Sequence, residues 1–127
     1  MQEDCRRAEG AVLDLRAGGQ VRVVAQWECP DGRAWRVVRW ELRGRERALY
    51  AWANRGTLDL DDPAEEADPW IAGVALERRD APATRWSRIR KQELTGADPA
   101  AFAGRLRGWE AGLIDRAERL IQRAQRL

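Results

Sequence analysis

The residues best equipped for chemistry in this chain are its arginines and tryptophans. Histidine is absent, and Cys5 and Cys29 are the only cysteines. Without histidine the commonest general base and metal ligand is missing, and Ser–His or Cys–His nucleophile pairs cannot be built. Any catalysis would draw on carboxylates, arginine, Tyr50 or Lys91, for example Arg36 or Arg39 with Tyr50 or Glu41 on neighbouring strands. Nothing in their spacing separates such a group from a structural ion pair. No catalytic residue, metal site or cofactor is therefore expected. Two isolated cysteines fit neither a disulfide framework nor a zinc motif. Cys29 is expected to pack as a small hydrophobe at a strand end, with Cys5 in a mobile lead.

What remains is binding chemistry. Every basic residue but Lys91 is an arginine, whose planar guanidinium suits bidentate recognition of phosphate or carboxylate. With regular strand alternation, Arg22, Arg36, Val38, Trp40 and Arg47 share one sheet face. A Trp–Arg patch has the residue types that dominate interface energetics, so this face is the first candidate for docking a protein partner. A second cluster, Arg85, Trp86, Arg88, Arg90 and Lys91, lies in the arginine-rich 78–91 hairpin. It offers cations for phosphates and a ring for stacking, the needs of a nucleic-acid surface. Arg116, Arg119, Arg123 and Arg126 form a third row near the C-terminus, with Asp115 placed to pair with Arg119 one turn on. The net charge of +2 is too small to argue for nucleic acid alone, but it is unevenly spread. Residues 1–68 hold 11 Arg against 14 acids, and residues 69–127 hold 12 Arg and Lys against 7 acids.

These residues need elements to position them. The longest signal is Asp98 to Leu127. Asp98 is a candidate N-cap and Pro99 fits the first turn. Phe102, Leu106, Trp109, Leu113, Ala117, Leu120, Ala124 and Leu127 recur at helical spacing, and Ile114 and Ile121 widen the stripe. A straight helix over 98–127 would span about 43 Å, against a radius of gyration of about 14 Å for a compact domain of this length. Its first turns are therefore expected to cover the sheet. Its last turns, through Leu113, Leu120, Ile121, Ala124 and Leu127, are expected to pair with a second copy. Gly104, Gly108 and Gly112 fall on one row, where small residues admit another backbone.

Before the helix, turn signals at Ala17–Gly19, Pro30–Gly32 and Arg43–Gly44 separate runs of period-two β-formers. These imply strands at 11–16, 21–29, 34–42 and 47–53, with Trp27 opposite Trp35, Trp35 opposite Trp52 and Val37 opposite Tyr50. One face would then carry Val21, Val23, Trp27, Trp35, Val37, Tyr50 and Trp52 under the helix. A short strand at Thr57–Leu60, an acidic loop at 57–69 and strands at 70–76 and 85–94 complete the pattern. The acidic loop lacks the glycine and ligand spacing of a calcium loop.

The expected fold is α+β: an antiparallel meander of four to six strands packed against one long C-terminal helix. The chain is expected to be a single domain, 1–127, with a flexible lead at 1–10, a β-rich meander at 11–94 and the helix at 98–127. No apolar run reaches membrane-spanning length and no signal-peptide pattern opens the chain, so a cytoplasmic protein without membrane contact is expected. The function expected is non-enzymatic binding of a protein partner with homodimerisation through the helix, and the alternative is nucleic-acid binding by the 78–91 hairpin.

Overall fold

The computed structural model describes residues 5–14, 20–43, 70–96 and 99–125. They form β1 (Arg6–Asp14), β2 (Gln20–Glu28), β3 (Ala34–Arg43), β4 (Trp70–Arg79) and β5 (Ser87–Gly96). A 3-10 turn (Pro99–Phe102) then leads into α1 (Ala103–Gln125). The strands pair antiparallel in chain order. The fold is therefore α+β, a five-stranded meander against one C-terminal helix. The expected strand at 47–53 with Arg47, Tyr50 and Trp52, the strand at Thr57–Leu60, the acidic loop at 57–69 and Leu127 lie outside the described residues.

The β2–β3 hairpin forms as its turn chemistry demands. Trp27 faces Trp35. Gly32 adopts φ 94°, where a Cβ would be strained. Asp31 Oδ1 accepts from the Arg33 N–H at 3.0 Å, and the Cys29 N–H donates to the Arg33 carbonyl at 2.9 Å. The other edge of β3 differs from expectation. Its partner is β4, with Trp35 opposite Arg78 and Val37 opposite Leu76, so the pairing of β3 with 47–53 is corrected. Continuous apolar sequence from Ile71 to Leu76, buried throughout, suits an interior strand better than an edge.

Residues 6–10, expected in a flexible lead, are the first half of β1. Arg6 pairs with Glu28 and Arg7 with Trp27. Pairing supplies the backbone bonds that their polar side chains do not advertise. It also brings Cys5 opposite Cys29, where the two form a disulfide with Cα atoms 4.0 Å apart. This corrects the expectation of two unrelated thiols, because register, not sequence distance, juxtaposes them.

Two register shifts decide which side chains share a face. The first falls between Val23 and Ala25. It sends Ala25 and Trp27 to the helix side with Trp35 and Val37, while Val21 and Val23 join Val38, Trp40 and Ala75 on the far side. Strict alternation would have kept all of β2's odd residues together, and a bulge breaks that rule. The second shift falls between Leu76 and Glu77. It places Arg90 opposite Leu76 and Arg88 opposite Glu77, so two arginines two residues apart point to opposite faces.

The helix side is closed by Leu106, Leu113, Ala117 and Ile121 against Trp27, Trp35, Val37, Ala72, Val74 and Leu76. Phe102 at the helix start sits against Gly96. Glu110 reaches Arg39 at 3.2 Å, and Glu118 reaches Arg7 at 2.8 Å. The helix thus runs the full sheet in the direction of β4. Its 23 residues span about 34 Å at 1.5 Å per residue, and a ten-residue strand such as β4 spans about 33 Å. Sheet and helix match in length. The described helix therefore does not overrun the sheet, contrary to the overhang expected from a span of about 43 Å over 98–127, because a ten-residue strand is itself far longer than the radius of gyration of a compact domain.

Candidate functional site

The first sequence candidate is not a free surface. Trp40 is 1% exposed and Val38 is fully buried. The Trp40 ring lies across Gly73, its cross-strand neighbour. A Cβ at Gly73 would collide with that ring and sit 2.9 Å from the Gln92 carbonyl. Arg36 is also buried, its Nε donating to Glu77 Oε1 at 2.7 Å. Arg88 donates to the other oxygen of Glu77 from Nε at 3.2 Å and Nη2 at 3.1 Å. Arg36 and Arg79 lie over the Trp86 ring at 4.2 and 4.6 Å, and Arg88 over Trp40 at 4.7 Å. The cluster is an internal network: one buried carboxylate shared by two guanidinium groups, with rings covering the remaining cationic faces. Arg22 is exposed but alternates with Val21 and Val23, so it belongs to the helix side. The placement of Trp40, Arg36 and Val38 on an open docking face is corrected. Arg47 lies outside the described residues.

The helix candidates divide in the same way. Leu113 and Ile121 are buried against the chain's own sheet, while Leu120 and Ala124 are half-buried. The glycine row is open: a Cβ at Gly104, Gly108 or Gly112 meets nothing within 4 Å. The space beside these glycines is open, so close packing on the sheet does not explain them. Asp115 and Arg119 form no ion pair among the described residues.

The hairpin candidates scatter. Arg88 and Trp86 belong to the Glu77 network. Arg85, Arg90 and Lys91 are exposed, with Lys91 Nζ 4.0 Å from Glu93. Of the pairings considered for catalysis, Arg39 is held between Glu41 at 2.9 Å and Glu110 at 3.2 Å, a structural arrangement. Arg33 holds the Asp31 carboxyl below the ordinary carboxylate range, chiefly through its backbone N–H. That is turn chemistry rather than a reactive site. Among the described residues, no group of three or more His, Cys, Asp or Glu could hold a metal ion, and no helix is long and apolar enough to cross a membrane.

A different site emerges where the helix leaves β5 uncovered. A groove of about 320 Å³ is lined by Arg90 and Gln92 from β5 and by Gly108, Trp109, Gly112, Leu113, Arg116 and Arg119 from α1. The spacing of the helical residues explains it. Trp109 and Leu113 descend toward the sheet, while Gly108, Gly112, Arg116 and Arg119 run beside them at intervals of three and four, one stripe of the helix. Arg90 and Gln92 alternate on the helix side of β5, opposite Leu76 and Val74. Arg90, Arg116 and Arg119 are exposed, and among the described residues they form no ion pair and no carboxylate lines the groove. Further along the helix, a cleft of about 490 Å³ takes Trp35, Ser87, Ile89, Leu120 and Ala124, with Arg33, Arg78 and Asp80. Ile89, the extra residue of the second bulge, is 42% exposed there.

The sequence shows Arg116, Arg119 and Arg123 as a row. It does not show that Arg90 faces them across a groove, because that follows from the bulge and the path of the helix. Compared with known protein families, characterised proteins and solved structures, the chain matches none.

Proposed function

We propose that this chain is a small non-enzymatic binding module that takes an anionic partner in the groove between β5 and α1. One observation carries this reading: three exposed arginines, without ion pairs among the described residues, converge from two elements on one groove whose described lining holds no carboxylate. By contrast, Arg36, Arg39 and Arg78 are neutralised by carboxylates, at Glu77, Glu110 and Asp80 respectively. Unpaired cations grouped in a concavity raise the local concentration of anions and speed their association. The test is calorimetric titration with a polyglutamate peptide and with a heparin oligosaccharide. Both should bind more weakly as salt rises, and an Arg90→Ser, Arg116→Ser, Arg119→Ser triple variant should lose at least about tenfold in affinity. Equal affinity in the triple variant would overturn the groove assignment.

A second reading, self-association, draws on the exposed Ile89 beside half-buried Leu120 and Ala124. Light scattering should then show a dimer that Ile89→Arg dissociates, and a wild-type monomer would remove this reading. As for compartment, the expected cytoplasmic setting would keep Cys5 and Cys29 as thiols, whereas their disulfide persists in an oxidising one. The disulfide supports the latter.

A further inference from the structure

Resting on the anionic-partner reading, we infer that the ligand of the β5–α1 groove is single-stranded nucleic acid, with phosphates on the arginines and a base against Trp109. Three features go beyond charge. First, the groove brings an aromatic ring among the cations: Trp109 is half-buried and lines the same wall as Arg116 and Arg119. An acidic peptide has no need of a ring, whereas any base can stack on one. Second, the walls admit a backbone closely. Gly108 and Gly112 present no side chain to the groove, and the space where their Cβ atoms would stand is empty. Third, the cationic row is linear. Arg116, Arg119 and Arg123 follow one another on successive turns, all exposed. From Gly108 to Arg123 the helix advances about 22 Å at 1.5 Å per residue. At about 3.4 Å per nucleotide along one strand, that track takes about six or seven nucleotides.

The geometry favours a single strand over a duplex. A duplex reader presents a protruding element to a groove of the nucleic acid. Here the arginines stand on either side of a recess that Trp109 and Leu113 close from below, so the nucleic acid enters the protein. Gln92 in the same recess offers a neutral amide to a base edge.

The experiment is fluorescence anisotropy with labelled oligothymidylates of three, five, seven and twelve nucleotides, from low to high salt. A labelled duplex and a labelled polyglutamate peptide serve as comparison probes. Affinity should rise with length to about seven nucleotides and then level off. Contacts from Arg90, Arg116, Arg119 and Arg123 should give a log–log salt slope of about −3, at roughly −0.7 per phosphate. Arg116→Ser with Arg119→Ser should reduce that slope by about 1.4. Gly112→Leu should fill the recess and weaken binding by at least about tenfold while raising the melting temperature, since leucine is the better helix former. Trp109→Leu should weaken binding about 5- to 150-fold, the range of one lost base stack. A preference for duplex, or a slope unchanged in the double variant, would overturn the inference. Binding of polyglutamate without oligothymidylate would overturn it while leaving the anionic-partner reading intact. Binding of neither would end both.

Discussion

Arg88 and Arg90 sit two residues apart on one strand, yet they inhabit different parts of the molecule. Arg88 faces away from the helix, shares the buried Glu77 with Arg36 and covers the ring of Trp40. Arg90 faces the helix and stands at the lip of an open groove, without an ion pair among the described residues. The far face uses its charges internally: Arg36, Arg79 and Arg88 are each matched by a carboxylate and a tryptophan ring, because an uncompensated charge out of water costs several kcal/mol. The groove leaves its arginines hydrated, where an unpaired cation costs nothing. Residue type is the same in both places. Surroundings decide whether an arginine is part of the structure or available to a ligand.

The sharpest way to break this comparison is at Glu77, which is 2% exposed. Glu77→Ala strands two guanidinium groups and should cost about 3–5 kcal/mol in denaturant unfolding. Arg116→Ser with Arg119→Ser should stay within about 0.5 kcal/mol of the parent. Comparable losses in the two variants would erase the distinction between internal and available arginines. The next effect tests the tie at the edge of the sheet. Cys29→Ser opens a cross-link between residues separated by 24 positions, worth about 3.5 kcal/mol by loop entropy. The same loss should appear in the parent on adding reductant. A parent indifferent to reductant would show that strand pairing alone holds β1.

One substitution made on each side gives opposite signs. Gly73→Ala drives a methyl group into the Trp40 ring and the Gln92 carbonyl and should lower stability by about 1–3 kcal/mol. Gly112→Ala meets open space and should raise stability by about 1 kcal/mol, the usual gain over glycine inside a helix. Thermal unfolding of the two variants side by side checks both signs. The smallest effect belongs to the exposed turn. The Asp31 carboxyl is held below its ordinary value by Arg33. A carboxylate depressed in the folded state stabilises above its unfolded value and loses that contribution as the pH falls through its folded value. An NMR titration should place Asp31 below pH 3.8, and Arg33→Pro, which removes both the side chain and the backbone N–H, should return it toward that value.

Much of the fold was legible because local signals agreed. The helix announced itself by its apolar spacing, and the structure gives it residues 103–125 after a 3-10 turn. The β2–β3 hairpin announced itself by Pro30–Asp31–Gly32, and the Trp27–Trp35 pair stands as the turn dictates. The faces were not legible. Alternation assigns a side chain to a face only until a bulge intervenes, and Val24 and Ile89 each sit at one. The first bulge moved Val21 and Val23 to the side of Trp40, and the second separated Arg88 from Arg90. Nothing in the sequence marks either position, since a bulge is a compromise between two strands and is written in neither alone.

The same reasoning separates what the chain carries in its sequence from what it acquires on folding. Sequence alone determined the α+β class, the helix, the lack of histidine chemistry and the net positive charge of the C-terminal half. These depend on neighbours within a few residues or on composition. Tertiary structure alone decided that β4 pairs with β3, that Cys5 meets Cys29, that Trp40 is core, and that Arg90 confronts Arg116 and Arg119. Each of these joins residues far apart in the chain. Their meeting depends on strand register and on the line the helix takes across the sheet, and burial of the whole hydrophobic face selects both at once.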